Sequence, residues 1–298
     1  MSTEAKPFLK WAGGKGQLLA QLSGHLPEII GKEPFTYIEP FVGGGAMLFY
    51  MLQHFRNVQK VVANDINEDL IMSYHVVRDS VELLVTKLTA LERDYLLIND
   101  QEHRAMMFYD VRERYNQHQG DSIDRVAQML FLNKTCFNGL YRVNSKGRFN
   151  VPFGRYANPT ICNAEVLRTD SQVLQSAKLL ICHVDYAHTL QYVDGLTFVY
   201  LDPPYRPLDA TSSFTAYTKG DFKNDDQRRL ADFCRQLSAT GCLWMQSNAD
   251  CSAKNPADTF FEDLYHDCHI SRVHAARFIN ANPSKRGKLT ELLIKNYE

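Results

Sequence analysis

The chain has 298 residues, 45% apolar and 22% charged, with a formal net charge of -1, a composition that fits an ordinary globule with one large or two modest cores. No uninterrupted apolar stretch approaches the ~18 residues of a membrane span, and the polar opening Met1-Ser2-Thr3-Glu4-Ala5-Lys6 is unlike a signal peptide, so a cytoplasmic protein without membrane attachment is expected. Seven cysteines without a C-x-x-C pair argue against a disulfide framework and offer no metal-ligand spacing, so reduced thiols and no bound metal are expected.

The first strand-like segment, 36–39, runs into Glu39-Pro40-Phe41-Val42-Gly43-Gly44-Gly45, and the helix-like Ala46-Met47-Leu48-Phe49-Tyr50-Met51-Leu52 follows. Glycines in such a turn let the backbone approach a ligand closely, but the spacing is not the dinucleotide G-x-G-x-x-G, so NAD is not expected. The next strand, 58–64, ends at Asn64-Asp65. An acid about twenty residues beyond a glycine turn commonly takes ribose hydroxyls, which points to a nucleoside cofactor. Upstream, Gly13-Gly14-Lys15-Gly16 lacks both the residue gap and the Ser or Thr of a phosphate loop.

From 67 to about 133 the pattern is helical, with Val81, Leu84, Val85, Leu88 and Leu91 spaced by three and four. A Gly-, Asn- and Pro-rich stretch follows to about Pro159 and suits a hairpin or ordered loop. Strand-like segments resume at 178–184, 196–201, 241–247 and 289–296, alternating with helical patterns, so an α/β fold is expected: a largely parallel sheet with helices on both faces. The simplest organisation is a discontinuous catalytic domain, 1–66 and 165–298, interrupted at 67–164 by a mainly helical domain carrying the hairpin loop.

The apolar run Leu196-Thr197-Phe198-Val199-Tyr200-Leu201 ends in Asp202-Pro203-Pro204-Tyr205. An acid, two prolines and an aromatic at the carboxyl edge of a buried strand stand where open α/β sheets bind ligands. They suit a flat amine: the carboxylate accepts one N–H, the carbonyl between the prolines accepts another, and the tyrosine ring stacks on the base. A plain proline turn after a strand is the bland alternative. Charge is also uneven, since Arg125 to Ala164 holds six basic residues and no acid, and Cys268 to Thr290 is acid-free with Arg272, Arg277, Lys285, Arg286 and Lys288. Runs of this kind are often solvated faces, but these also hold Asn, Gly and aromatic residues suited to phosphates and bases.

The glycine turn, the strand-end acid and Asp202-Pro203-Pro204-Tyr205 together resemble the amino-group methyltransferases that use S-adenosylmethionine. The chain is similar to one branch of them, the Dam-type DNA adenine methyltransferases of the D12 class, in Phe8-Leu9-Lys10-Trp11-Ala12-Gly13-Gly14-Lys15, Ile38-Glu39-Pro40-Phe41-Val42-Gly43, Asn138-Gly139-Leu140-Tyr141-Arg142, Phe149-Asn150-Val151-Pro152-Phe153-Gly154-Arg155-Tyr156, and Asp202-Pro203-Pro204-Tyr205 with Phe214-Thr215-Ala216-Tyr217 behind it. The resemblance spans nearly the whole length, in the family's order. It implies a Rossmann-like class I methyltransferase sheet, an inserted target-recognition domain, double-stranded DNA as partner and GATC as the target.

For the cofactor it implies Trp11, Lys15, Glu39, Phe41, Gly43, Asp65 and Asp202, with Asp185 on the adenine amino group, although Val184-Asp185-Tyr186 departs from the commoner wording. It further implies that Phe137 enters the duplex beside Asn138, that Leu140 and Arg142 read base edges, and that Lys10 contacts the first guanine. Arg112, Lys134, Asn144, Pro152 and Arg155 are the remaining expected DNA contacts. Because the target nitrogen is out of reach inside a duplex, the base must be extruded at a cost of a few kcal/mol. An RNA or glutamine-amide methyltransferase would also grip a planar amine, and the glutamine type usually has Asn where Asp202 stands. A DNA-binding module without catalysis would not need Asp202-Pro203-Pro204-Tyr205 intact. No dimer seam is evident, so a monomer is expected.

Overall fold

The computed structural model describes residues 4–11, 13–176, 178–206, 222–276 and 288–298. The Phe214-Thr215-Ala216-Tyr217 match and Arg277, Lys285 and Arg286 lie outside the described residues.

The sheet contains β1 (Phe35–Glu39), β2 (Val58–Asn64), β3 (Leu179–Cys182), β4 (Thr197–Leu201), β5 (Leu243–Ala249), β6 (His269–Ala276) and β7 (Lys288–Lys295), in the spatial order β3-β2-β1-β4-β5-β7-β6. The first five run parallel, and β7 pairs antiparallel with both β5 and β6. Six of the seven strands coincide with sequence expectations. The seventh, β6, hides inside the acid-free basic run: Val273 is buried while Arg272 is exposed, an alternation of period two that the charge pattern obscures.

Every residue of β4 is buried, so its sequence reads as a continuous apolar run. Phe198 and Tyr200 join one core cluster with Leu48 and Phe49 of α2 (Ala46–His54), where α1 is the short helix Leu19–Ser23, and with Leu70 and Tyr74 of α3 (Glu68–Asp79). Val199 and Leu201 face the other way. They join Trp244 and the Leu230, Phe233 and Leu237 stripe of α8 (Asn224–Ala239). Both faces of the sheet are therefore covered, as α/β folds require.

Between β2 and β3 the chain builds α3, α4 (Val81–Leu97), α5 (Gln101–Asn116), α6 (Ser122–Thr135) and α7 (Ala164–Ser176). Their starts are set by side chains that satisfy orphan amides: Asn67 accepts from Leu70 N, Asp100 accepts from His103 N, and Asp121 and Asp124 form a reciprocal box. Leu84, Leu88, Tyr95, Phe108, Val111 and Phe131 from these helices belong to the same core cluster as Phe35 and Tyr37. Among the described residues, apolar packing is continuous from the helical segment to the sheet. From β1 the chain moves outward one way to β2 and β3, and from β4 the other way to β5. The carboxyl ends of β1 and β4 therefore flank the point of reversal, where a crevice opens in sheets of this kind.

Candidate active site

At the end of β1 the glycine turn is shaped by positive φ at Gly43 (+49°) and Gly45 (+76°), values that favour glycine because it lacks a Cβ. Tyr74 from α3 donates its hydroxyl to Gly43 O at 3.0 Å, and a Cβ on Gly45 would lie 2.3 Å from that hydroxyl oxygen. Asp65, just past β2, accepts from Gly43 N at 3.1 Å and from Asn67 N at 2.9 Å. Burial nonetheless pushes its carboxyl up to about 6, because a charge withdrawn from water is penalised more than these amides compensate. Glu39 is 2% exposed and accepts from Tyr37 Oη at 2.8 Å. Burial, with Asp202 and Asp65 nearby, holds its carboxyl well above the usual range. Phe41 packs against Tyr186 with ring centroids 5.1 Å apart.

At the end of β4, Asp202 Oδ1 lies 2.9 Å from Lys15 Nζ. Lys15 is 3% exposed, donates to Gly13 O at 2.9 Å, sits 4.5 Å from the Tyr205 ring centroid, and is 3.7 Å from Glu291 Oε2. Tyr205 donates its hydroxyl to the same Glu291 oxygen at 2.7 Å. Burial raises the Asp202 carboxyl to about 6, with Lys15 opposing and Glu291 reinforcing the rise. The Pro204 carbonyl accepts from the buried Gln227 side chain at 3.1 Å, and Gln227 in turn accepts from Asn248, whereas no described residue donates to the Pro203 carbonyl.

The loop after α6 turns at Asn138 (φ +59°) and Gly139 (φ +64°), the two left-handed positions of a type I′ turn. Phe137, just before them, is 52% exposed. Its amide donates to Pro152 O at 2.9 Å, and isolated bridges pair Cys136 with Phe153 and Val143 with Phe149, so the expected hairpin is present in irregular form. The buried Asn133 side chain joins this turn to the amino-terminal segment. It accepts from Lys10 N at 2.8 Å and donates to Lys10 O at 2.8 Å and Gly139 O at 3.1 Å. Trp11 stacks on Tyr141, centroids 4.9 Å apart.

The structure thus brings a strand-end acid and a glycine turn to neighbouring strand ends and presents an exposed aromatic on a hairpin. Residues 11–279 match the family described as D12 class N6 adenine-specific DNA methyltransferase. The chain belongs to that family. It is 49% identical to the Type II methyltransferase M.MjaIII of Methanocaldococcus jannaschii over 99% of this chain and 100% of that protein. The figures are 37% for Type II methyltransferase M1.LlaDCHI of Lactococcus lactis, over 98% and 95%, and 32% for the DNA adenine methylase of Haemophilus influenzae, over 97% and 92%.

For this methyltransferase, membership implies S-adenosylmethionine as methyl donor, and the residues present fit it. Trp11 covers the glycine turn so closely that a Cβ on Gly43 would lie 3.1 Å from its ring, a backbone-lined surface beside an acid, an ammonium and two aromatic rings. Asp185, expected near the cofactor adenine, follows β3, but both its oxygens accept from Arg229 at 2.7 and 2.9 Å, which lowers its carboxyl. Among the described residues no cluster of His, Cys, Asp or Glu is arranged to hold a metal, and no helix is long and apolar enough to cross a membrane.

The enzyme's basic runs are less uniform than their sequence suggests. Arg125 pairs with Asp69 at 2.6 Å and Arg148 with Glu113 at 2.7 Å, while Arg272 pairs with Asp250 and Glu262, both at 2.9 Å. Acids distant in sequence neutralise part of each run. Lys134 is half-buried at the end of α6, and burial, with Lys10 beside it, lowers its pKa. Arg112 lies over the Tyr109 ring at 4.5 Å, and Asn144 accepts from Lys146 N and Arg148 N as a turn cap. Arg142 and Arg155 are exposed, the former donating to Asn150 Oδ1 at 2.8 Å, and Leu140 is partly buried against the core. Sequence reasoning missed Glu291, Asn133 and Gln227. Glu291 carried one signal: it is an acid between the apolar residues Leu289 and Leu292 to Ile294 of a strand.

Proposed function

We propose that this DNA adenine methyltransferase modifies adenine N6 within GATC by extruding the base into the cleft between the ends of β1 and β4. The observation that carries the reading is the position of Asp202. It is a half-buried carboxylate at the reversal point of the sheet, beside the glycine turn, with Tyr205 adjoining and the Pro203 carbonyl available as a second acceptor.

The amine lone pair of adenine is delocalised into its ring. Asp202 and the Pro203 carbonyl, each accepting one N–H, favour a tetrahedral nitrogen whose lone pair is directed outward, a contribution of positioning and electrostatics. Tyr205 offers its ring for stacking. The bound cofactor supplies an electrophilic sulfonium methyl. Asp202 needs only modest basicity, because the amine proton becomes acidic as positive charge develops on nitrogen.

In this reading 67–164 is the target-recognition unit and 1–66 with 165–298 the catalytic one. Phe137 fills the gap left by the extruded adenine, Lys10 contacts the first guanine, and Leu140 and Arg142 read base edges. A well-placed contact of this kind discriminates by about 1–3 kcal/mol. Asn138 and Pro152 frame the hairpin, while Arg112, Lys134, Asn144 and Arg155 lie along the phosphates, Lys134 through the edge it leaves accessible. The protein works as a monomer in the compartment that holds the DNA. That two relatives are Type II methyltransferases supports pairing with a restriction enzyme.

Radiolabelled methyl transfer to duplexes differing at one base of GATC, with RNA and peptide controls, tests the reading. Transfer confined to GATC is expected, and efficient transfer to a different sequence would replace GATC while leaving the clamp in place. Phe137→Ala is expected to reduce the fluorescence rise of 2-aminopurine at the target position severalfold with cofactor affinity unchanged. A full rise from that variant would remove Phe137 from the extrusion step.

A further inference from the structure

Resting on the function proposed above, we propose that Glu291 is the positioning residue of the clamp, holding Tyr205 by its hydroxyl and receiving the Lys15 ammonium when Asp202 turns to the target amine. Glu291 comes from β7, the strand that pairs antiparallel with β5, and its Oε2 faces two groups of the site at once: Tyr205 Oη at 2.7 Å and Lys15 Nζ at 3.7 Å.

Three features lead to this role. First, the Lys15 ammonium lies 2.9 Å from Asp202 Oδ1, where it competes with a target amine for the carboxylate. Second, Lys15 is almost fully buried, so it cannot leave Asp202 for water; an ammonium withdrawn from solvent requires a carboxylate partner. Glu291 is that partner, and a shift on the order of 1 Å brings the ammonium to charge-assisted hydrogen-bond distance of it. Third, tyrosine stacking on a base depends on the ring's tilt, and the Tyr205 hydroxyl donates to Glu291 Oε2 at 2.7 Å. The same carboxylate thus fixes the ring that stacks and accommodates the cation that must yield. No covalent step is involved.

Steady-state kinetics of the full-length chain with a methyl-accepting duplex test the proposal, using Glu291→Gln, Tyr205→Phe and the double variant. Glu291→Gln retains an oxygen for the tyrosine hydroxyl but no charge for Lys15. It is expected to lower kcat about 10- to 100-fold, with KM for DNA and cofactor within about threefold of native and the melting temperature nearly unchanged. Tyr205→Phe is expected to lose less, and the double variant to resemble Glu291→Gln alone, because both changes act through one contact. Native-like kcat in Glu291→Gln, or losses that multiply in the double variant, would overturn the role of Glu291 while native transfer leaves the function intact. A native chain that methylates no duplex would overturn the function and this inference together.

Discussion

Asp202→Ala is expected to reduce methyl transfer at least about a thousandfold while DNA affinity stays within about threefold. The magnitude follows from removing the chief acceptor for the amine in a water-poor site, where a single preorganised polar group is worth about 10²–10³ in rate, with loss of orientation added. Parallel single-turnover assays and binding titrations check it, and transfer within tenfold of native would rule out the clamp. The conservative Asp202→Asn separates chemistry from stability. Because burial raises the folded-state pKa of Asp202 above its ordinary value, the group's contribution to stability is fully present below its unfolded pKa and is lost as pH rises through about 6. At pH 7 the ionised carboxylate is a net cost, and Asn removes it. The variant should therefore be inactive yet more stable, by roughly 1–3 kcal/mol, with Lys15 retaining Glu291 as partner. The gain should be larger at pH 8 than at pH 5, as thermal melts at the two values would show. A melting temperature that falls equally at both would contradict the account.

Gly45→Ala is expected to abolish measurable cofactor binding and to lower stability by about 3–5 kcal/mol. The new methyl group meets a left-handed backbone position, with φ +76°, and lies 2.3 Å from the Tyr74 hydroxyl. Relieving that overlap displaces Tyr74 from the Gly43 carbonyl, so strain, overpacking and a lost buried hydrogen bond act together. Tyr74→Phe in the Gly45→Ala background removes the overlapping oxygen and should recover part of the stability. Calorimetric titration with S-adenosylhomocysteine and thermal melts of the three variants check both statements. Gly45→Ala with native affinity would show that the turn does not line the cofactor site.

Much of this could be read from the chain alone, for identifiable reasons. Strands β1, β2 and β4 end in motifs that only a few folds require, so their positions were legible, together with the family that those motifs mark. The Asn138-Gly139 turn was legible because few residue pairs tolerate two left-handed positions. What escaped depends on packing across long sequence distances. Nothing local marks Asn133 as the group that grips Lys10, 123 positions away, or pairs Arg125 with Asp69 so that part of an acid-free window becomes neutral. Arg272 misled for the same reason: its carboxylate partners, Asp250 and Glu262, lie outside the stretch that looked basic. Strand β6 was lost because hydrogen bonding to β7 organises residues whose charge suggested solvent.

The clamp draws on Lys15, Asp202, Tyr205 and Glu291, so no contiguous stretch of the polypeptide carries it. Bringing such remote groups together requires closing the longest loops in the molecule, and contacts of that span form slowly. On the proposed reading, a half-folded chain that already has its glycine turn and its β4 edge would be chemically silent, and the power to mark a genome would arrive only with the finished tertiary structure.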